Sequence, residues 1–407
     1  MTVLPTVSLV IVSRHRPDAL ARCLAAVARL DHPAFEVIVV ADPGSLAQTE
    51  GLPIKRVMFD RANISAARNA GIGAAAGEVV AFTDDDATPE PLWLWHLCAP
   101  FADPAVSAAG GFVLGWNGFS FEWQGGTVDC RLRTGGLPVP VDRISLHPGR
   151  PGLATEIKGV NCAYRRSVLM ALGGFDPEIA YYLDETELNL RLAAVGLTTA
   201  IVPDARVHHR KAASPRRSAD RVPLDLWDVG ASAAITLRRH GADEGEIARS
   251  LAQIEFWEDR RIARLCRSRR ISHEVANGLR ASLAAGLADG LRRSLTPMAP
   301  LVLTAMPFLP FPSRPPLAEV VLAGRPWQTR RLEAEARRLA DEGHSVRLYL
   351  FGPSARFQRR YFRDGFWLQS GGLFGRSLRS DPLFRPWRFS RRLARESGLF
   401  ASGFRKS

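Results

Sequence analysis

Cysteine is scarce in this sequence. The five present (Cys23, Cys98, Cys130, Cys162 and Cys266) are odd in number, scattered and never spaced CxxC. That pattern suggests neither a disulfide framework nor a zinc site, and a reducing cytosol is the expected surroundings. Long apolar runs are also missing. Leu9–Val12 and the proline-broken stretch 298–312 come nearest to the ~20 residues a spanning helix needs, and neither suffices. The N-terminus lacks a basic stretch followed by a long apolar one, so no secretory signal is expected, and no internal repeat is visible. Acidic residues are in deficit, 41 against 54 Lys and Arg, for a net charge of +13. The deficit is local: after residue 355, thirteen cationic residues face three acidic ones, a net +10. The basic balance therefore gives no reason to expect nucleic acid as a partner of the whole chain. With 407 residues and 46% apolar side chains, two or three folded domains are expected.

The first two hundred residues alternate between strand and helix patterns. Val7–Val12 is a continuous β-branched run, the pattern of a strand buried on both faces of a parallel sheet. Pro17 suits a helix start, with Leu20, Leu24 and Val27 on one face. Phe35–Val40 and Ile54–Met58 read as strands, and Ser65 can cap a helix running to Ala76. Glu78–Phe82 is a further strand and runs directly into Thr83-Asp84-Asp85-Asp86. This order implies an open, mostly parallel α/β sheet, in which ligands bind beyond the carboxyl ends of the strands. Asp42 and Asp84–Asp86 both stand at such ends. Three adjacent carboxylates repel one another, and a divalent cation such as Mg²⁺ or Mn²⁺ relieves the repulsion with oxygen ligands. The alternative is a solvated acidic turn before Pro89.

Several segments resemble family 2 glycosyltransferases. Val7–Val12 followed by Ser13-Arg14-His15 is similar to the family's first strand, and Val37–Ser45 resembles its VVDDGS turn with Pro43 added. Asn63–Ile72 is similar to its ARN-x-G segment and Val80–Asp86 to its DxD strand. Gly173-Gly174-Phe175-Asp176, followed by Asp184–Arg191, resembles its GGFDE and ED-x-[DE]-L-x-x-R motifs. The resemblance covers about residues 5–215. It implies a GT-A fold, a nucleotide-diphosphate sugar donor, inversion at the transferred sugar and a divalent metal, Mg²⁺ or Mn²⁺. Ser13, Asp42, Arg68, Asp84 and Asp85 would contact the donor: Asp42 the nucleobase, Arg68 the base or diphosphate. Asp84 and Asp86 would match the DxD pair, and His209 is a further metal or diphosphate contact. The second acid of the ED pair, Glu185, would be the base that deprotonates the acceptor, with Asp184 next in line. Asn161 and Arg165 would stand on the acceptor side.

Trp93, Trp95, Trp116 and Trp123 are candidates for stacking on sugars or for the core. Residues 115–157, rich in Gly and Pro, read as an irregular insertion. The expected divisions are a GT-A domain (1–222), a helical extension (223–296) and a Pro-rich linker (297–318). A small strand–helix–strand unit (319–355) and a basic, aromatic tail (356–407) follow. Interleaved Arg and aromatic residues suit an anionic membrane surface, so the chain is expected to be cytoplasmic and peripheral, with a glycan or lipid-linked acceptor. Two rival functions are a non-catalytic scaffold and a sugar nucleotidyltransferase. The latter normally opens with a glycine-rich loop, where this chain has Ser13-Arg14-His15-Arg16.

Overall fold

The computed structural model describes residues 4–241, 243–302 and 306–400. Strands β1 (Val7–Ser13), β2 (Phe35–Ala41), β3 (Lys55–Met58) and β4 (Val79–Asp84) run parallel, with β1 between β2 and β4. Every residue of β2 is buried; its sequence is apolar and mostly β-branched except for Glu36, whose carboxylate is paired with Lys55 at 2.8 Å. Beyond β4 the sheet becomes mixed. Cys162–Arg165 lies antiparallel to β4 and to Val106–Leu114, which in turn lies parallel to Thr198–His209. The expected mostly parallel α/β sheet is therefore present, with three additions on its far side: Ala87–Pro89, Phe121–Trp123 and Ser145–His147.

Helices α1 (Pro17–Val27), α2 (Pro43–Leu46) and α3 (Ile64–Ala74) connect the parallel strands. Asn63, not Ser65, caps α3: its side chain accepts the Ala66 N–H at 2.9 Å, while the Ser65 hydroxyl donates to Ile179 O. The helix stops at Ala74, short of the expected Ala76. The next two N–H groups are taken by side chains from the sheet, Ala76 by Glu36 and Gly77 by Ser8, both at 2.8 Å. Because β1, β2 and β4 are parallel, their carboxyl ends share one edge of the sheet. Ser13, Asp42 and Asp84 leave from that edge.

Helices Trp227–Arg239, Glu244–Arg267 and His273–Arg292 form the helical extension around their own apolar cluster. The Pro-rich segment lies on the sheet domain: Phe311 N–H donates to Phe35 O and Leu309 N–H to Glu36.

The C-terminal part departs from expectation. Residues 356–400 are not a separate tail. Arg359–Arg363 and Phe366–Gly372 join Glu319–Gly324 and Ser345–Gly352 in one four-stranded sheet. Asp364 and Gly365 both have positive φ (49° and 81°), which is what a two-residue hairpin turn needs. The hairpin completes a unit that residues 319–355 alone leave unfinished. Its basic and aromatic side chains serve the fold: Arg347, Arg360 and Arg392 are buried, as are Phe366 and Trp367. Phe404, Arg405 and Lys406, counted in the basic segment, lie outside the described residues. Among the described residues, no helix is long and apolar enough to cross a membrane.

Candidate active site

Beyond the carboxyl ends of β1 and β4 opens a cavity of about 340 Å³, within the range of small-ligand sites. Ser13–Arg16 from the end of β1, Arg61–Ile64 before α3, and Asp84 and Asp86 after β4 line it. Tyr181 and the loop Ala213–Arg217 close it from the other side. Five arginines (Arg14, Arg16, Arg61, Arg216 and Arg217) face two aspartates, so the cavity suits a ligand carrying several negative charges.

The three aspartates part company because β4 ends at Asp84 and the chain turns through Asp85 and Asp86. Asp84 turns toward Arg68, 3.3 Å away. Asp85 turns inward, accepts from Ser13 Oγ at 2.6 Å and forms an ion pair with Arg16 at 2.6 Å. Burial raises its carboxyl to about 7, against the pull of Arg16. Asp86 accepts from Arg16 and the Ala212 N–H and lies 3.3 Å from His209 Nε2. Burial alone would raise Asp86, but His209 and Arg16 lower it instead. For His209 burial lowers the pKa, yet Asp86 and Glu122 raise it to about 9.

Carboxylate and imidazole atoms of Asp84, Asp86 and His209 lie within 4.8 Å of one another. Two hard oxygen donors and one imidazole, with open cavity beside them, fit a divalent cation that keeps further positions for phosphate oxygens. The adjacent His208 faces away, 3.0 Å from Glu90 and with its ring centroid 4.4 Å from that of Trp367.

Residues 8–173 match the family model for glycosyl transferase family 2. That stretch of the chain is similar to a family 2 glycosyltransferase domain. The chain is 28% identical over 247 residues to the O-antigen biosynthesis protein RfbC of Myxococcus xanthus, covering 55% of this chain and 18% of that protein. It is 30% identical over 150 residues to the pre-mycofactocin glycosyltransferase of Mycobacterium tuberculosis, covering 36% and 29%. The chain thus spans less than a third of either relative's length. A solved mannosyltransferase from Pyrobaculum calidifontis, in complex with GDP-Man and Mn²⁺, matches 72% of this chain and 88% of its own. Its identity is 18% and its TM-score 0.42.

Within the matched region and just beyond it, several expected site residues take other positions. Asp42 does not line the cavity. Its carboxylate caps α2 by accepting from Ser45 N–H and Oγ, and also takes the His15 N–H at 2.6 Å. It shapes the loop after β1 instead of meeting a base. Asn161 is fully buried and spent on the framework, accepting from Trp93 Nε1 and donating to Phe112 O and Ala205 O. Arg165 pairs in register with Val79, at the opposite end of β4 from the aspartates, and donates to the carbonyls of Phe101, Asp103 and Val106. The hydrogen bonds described for both go to the framework. Trp93 is core, whereas Trp116 is half exposed.

Arg68 is buried rather than set against a base or diphosphate. Its guanidinium pairs with Asp184 and Asp84 and lies over the rings of Phe82 and Phe175. It ties the acidic strand end to the helix Asp184–Ala194, which follows two residues with positive φ, Tyr182 and Leu183. Gly159 leaves the room for it, since a Cβ there would lie 2.5 Å from an Arg68 nitrogen. Asp184 is buried, and burial with the neighbouring Glu185 raises it to about 7 against the pull of Arg68. Glu185 is partly exposed. Burial would raise it too, but Lys158 and Arg68 lower it, so it stands ionised at neutral pH. Arg16 went unmarked in the sequence because its acidic partners, Asp85 and Asp86, lie far along the chain, and Lys158 because its nearest acid is Glu156, outside every motif. The only local signal was Arg16 standing where the strand ends.

Proposed function

We propose that this chain transfers a sugar from a nucleotide-diphosphate donor to an acceptor hydroxyl, with inversion. The observation that carries the reading is the arginine-lined cavity with Asp84, Asp86 and His209 at its edge. Arg14, Arg16, Arg216 and Arg217 are suited to hold the diphosphate and to offset the charge that grows on it as the bond to the sugar breaks. Asp84, Asp86 and His209 would hold Mg²⁺ or Mn²⁺, which supplies further positive charge to the leaving diphosphate. Glu185 is the base: ionised and partly open, it takes the proton of the acceptor hydroxyl as that oxygen attacks the sugar from the face opposite the diphosphate. Asp184, fixed on Arg68, positions the helix that presents Glu185. The proposed acceptor is a glycan or a lipid-linked glycan, met at an anionic membrane surface.

Calorimetry with UDP and GDP, with and without Mn²⁺, tests the donor part. Metal should tighten binding of at least one nucleotide, and Asp86→Ala should remove that gain while leaving the circular dichroism spectrum unchanged. Affinity indifferent to metal in the wild type would overturn the reading.

A further inference from the structure

A second cavity, of about 370 Å³, opens where the C-terminal unit meets the insertion after Leu114. It is distinct from the donor cavity but adjoins it through one side chain. Glu122 lines this cleft and lies 3.5 Å from His209 Nδ1, on the rim of the donor site. Its charge is matched by Lys211, 2.5 Å away, and by His209.

The two walls are held together firmly. Arg360 N–H donates to Asn117 O at 3.0 Å, and Gly118, at φ 72°, sits so close to Arg360 O that a Cβ would meet it at 2.4 Å. Buried Arg360 also lies 4.4 Å from the centre of the Phe119 ring. The cleft is therefore a built feature of the fold and not a gap between loosely joined parts.

Its lining has an uncommon composition. Arg221, Arg359, Arg376 and Arg379 all face it, and none of the four pairs with a carboxylate among the described residues. Like charges gathered without counter-charge repel one another, and a polyanionic ligand removes that repulsion. Apolar flat surfaces stand beside the cations. Trp116, Phe121 and Phe357 are 48%, 43% and 53% exposed, high for large aromatic residues in a folded chain. Arg359 stacks 4.9 Å over Trp116, and Arg376 stacks 4.5 Å over Phe357. Guanidinium groups held on ring faces keep their edge N–H groups free for phosphate oxygens, and exposed ring faces suit the C–H face of a sugar.

We infer that this cleft binds the acceptor, and that the acceptor is a sugar bearing a phosphate or pyrophosphate group. The inference rests on the transferase reading given above and names the substrate class on its acceptor side. The C-terminal unit then supplies half of a binding site, and Trp116, with Arg359 over its ring, forms part of the wall that meets the acceptor.

Equilibrium binding of simple probes to the full chain tests this without turnover. Glucose 1-phosphate stands for a phosphate-bearing glycan, farnesyl pyrophosphate for a lipid-linked pyrophosphate, and methyl glucoside for a neutral sugar. At least one of the two phosphorylated probes should bind at least tenfold more tightly than methyl glucoside. The tighter of the two identifies the source of the phosphate. Trp116→Ala and the double variant Arg359→Gln/Arg376→Gln change exposed or half-exposed side chains, so folding should survive. Each should weaken the phosphorylated probe at least tenfold and leave UDP or GDP affinity in Mn²⁺ unchanged. Undiminished binding in both variants, complete displacement of the probe by the nucleotide, or no binding of either phosphorylated probe overturns the inference. If the cleft binds its probe and no nucleotide binds in any condition, the transferase reading fails and the cleft stands.

Discussion

Glu185 and Arg68 carry opposite duties although a few side chains separate them. As the proposed base, Glu185 must stay ionised and reachable, and Lys158 with Arg68 provides the first condition. Glu185→Gln keeps shape and hydrogen bonding while removing basicity. Turnover should fall ~10²–10⁴-fold, with nucleotide affinity retained, as single-turnover rates and calorimetry would show. If Asp184→Asn is the crippled variant and Glu185→Gln is not, the base has been assigned to the wrong acid. Arg68 is buried between Asp84 and Asp184, so its loss strands carboxylates in the interior. Arg68→Met should lower stability by ~3–5 kcal/mol, the cost of leaving a buried charge unpaired, read as a fall in the urea midpoint. A drop within ~1 kcal/mol, the range of a surface pair, would mean that water reaches this pair freely.

The connecting elements are tuned by small polar groups as much as by apolar faces. His32, between α1 and β2, is buried, accepts the Ala34 N–H on Nδ1 and meets Phe35 edge-on. Burial lowers its pKa to about 4. Between its ordinary value of 6.5 and about 4 the unfolded chain binds the proton and the folded chain does not. Stability is therefore full above pH 6.5 and is lost as pH falls through that window. His32→Asn should flatten this part of the curve of melting temperature against pH, and an identical slope in the variant would exclude His32 as its source. The strands of the first domain were legible because β-branched runs ended by Gly, Pro and Asp mark buried parallel strands. Their ends in turn placed Ser13 and Asp84–Asp86. The role of Asn161 was not legible, since bridging Phe112 to Ala205 depends on tertiary neighbours that no local pattern announces. Asp42 before Pro43, three residues from Ser45, did carry a local capping signal. The hairpin around Asp364-Gly365 did carry a local signal, a turn dipeptide between strand-forming residues. Read as a charge run, the segment 359–372 hid it.

At the scale of the whole molecule, folding of the C-terminal unit redistributes the basic charge. With Arg360 and Arg392 buried, and Arg395 paired with Asp381, membrane contact cannot draw on the whole segment as an unstructured tail would. What stays outside is narrower. Leu383 and Phe384 are about 60% exposed, and Arg379, Arg385, Arg388 and Arg391 stand exposed around them in the sequence. Two exposed apolar side chains with four exposed arginines near them in sequence suit an anionic headgroup layer, where each cation contributes ~1 kcal/mol. Arg379 also lines the phosphate-binding cleft, so these residues and the cleft share that side chain. An acceptor anchored in a bilayer would then enter the cleft along a continuous basic path. The full chain should co-sediment with vesicles containing phosphatidylglycerol, and binding should weaken as salt shortens the Debye length from ~10 Å at 0.1 M. Leu383→Asp with Phe384→Asp should abolish the part of binding that survives high salt, while nucleotide affinity stays as in the wild type. Sedimentation unchanged by that double substitution would move the membrane contact elsewhere on the molecule, and no sedimentation at low salt would remove it altogether.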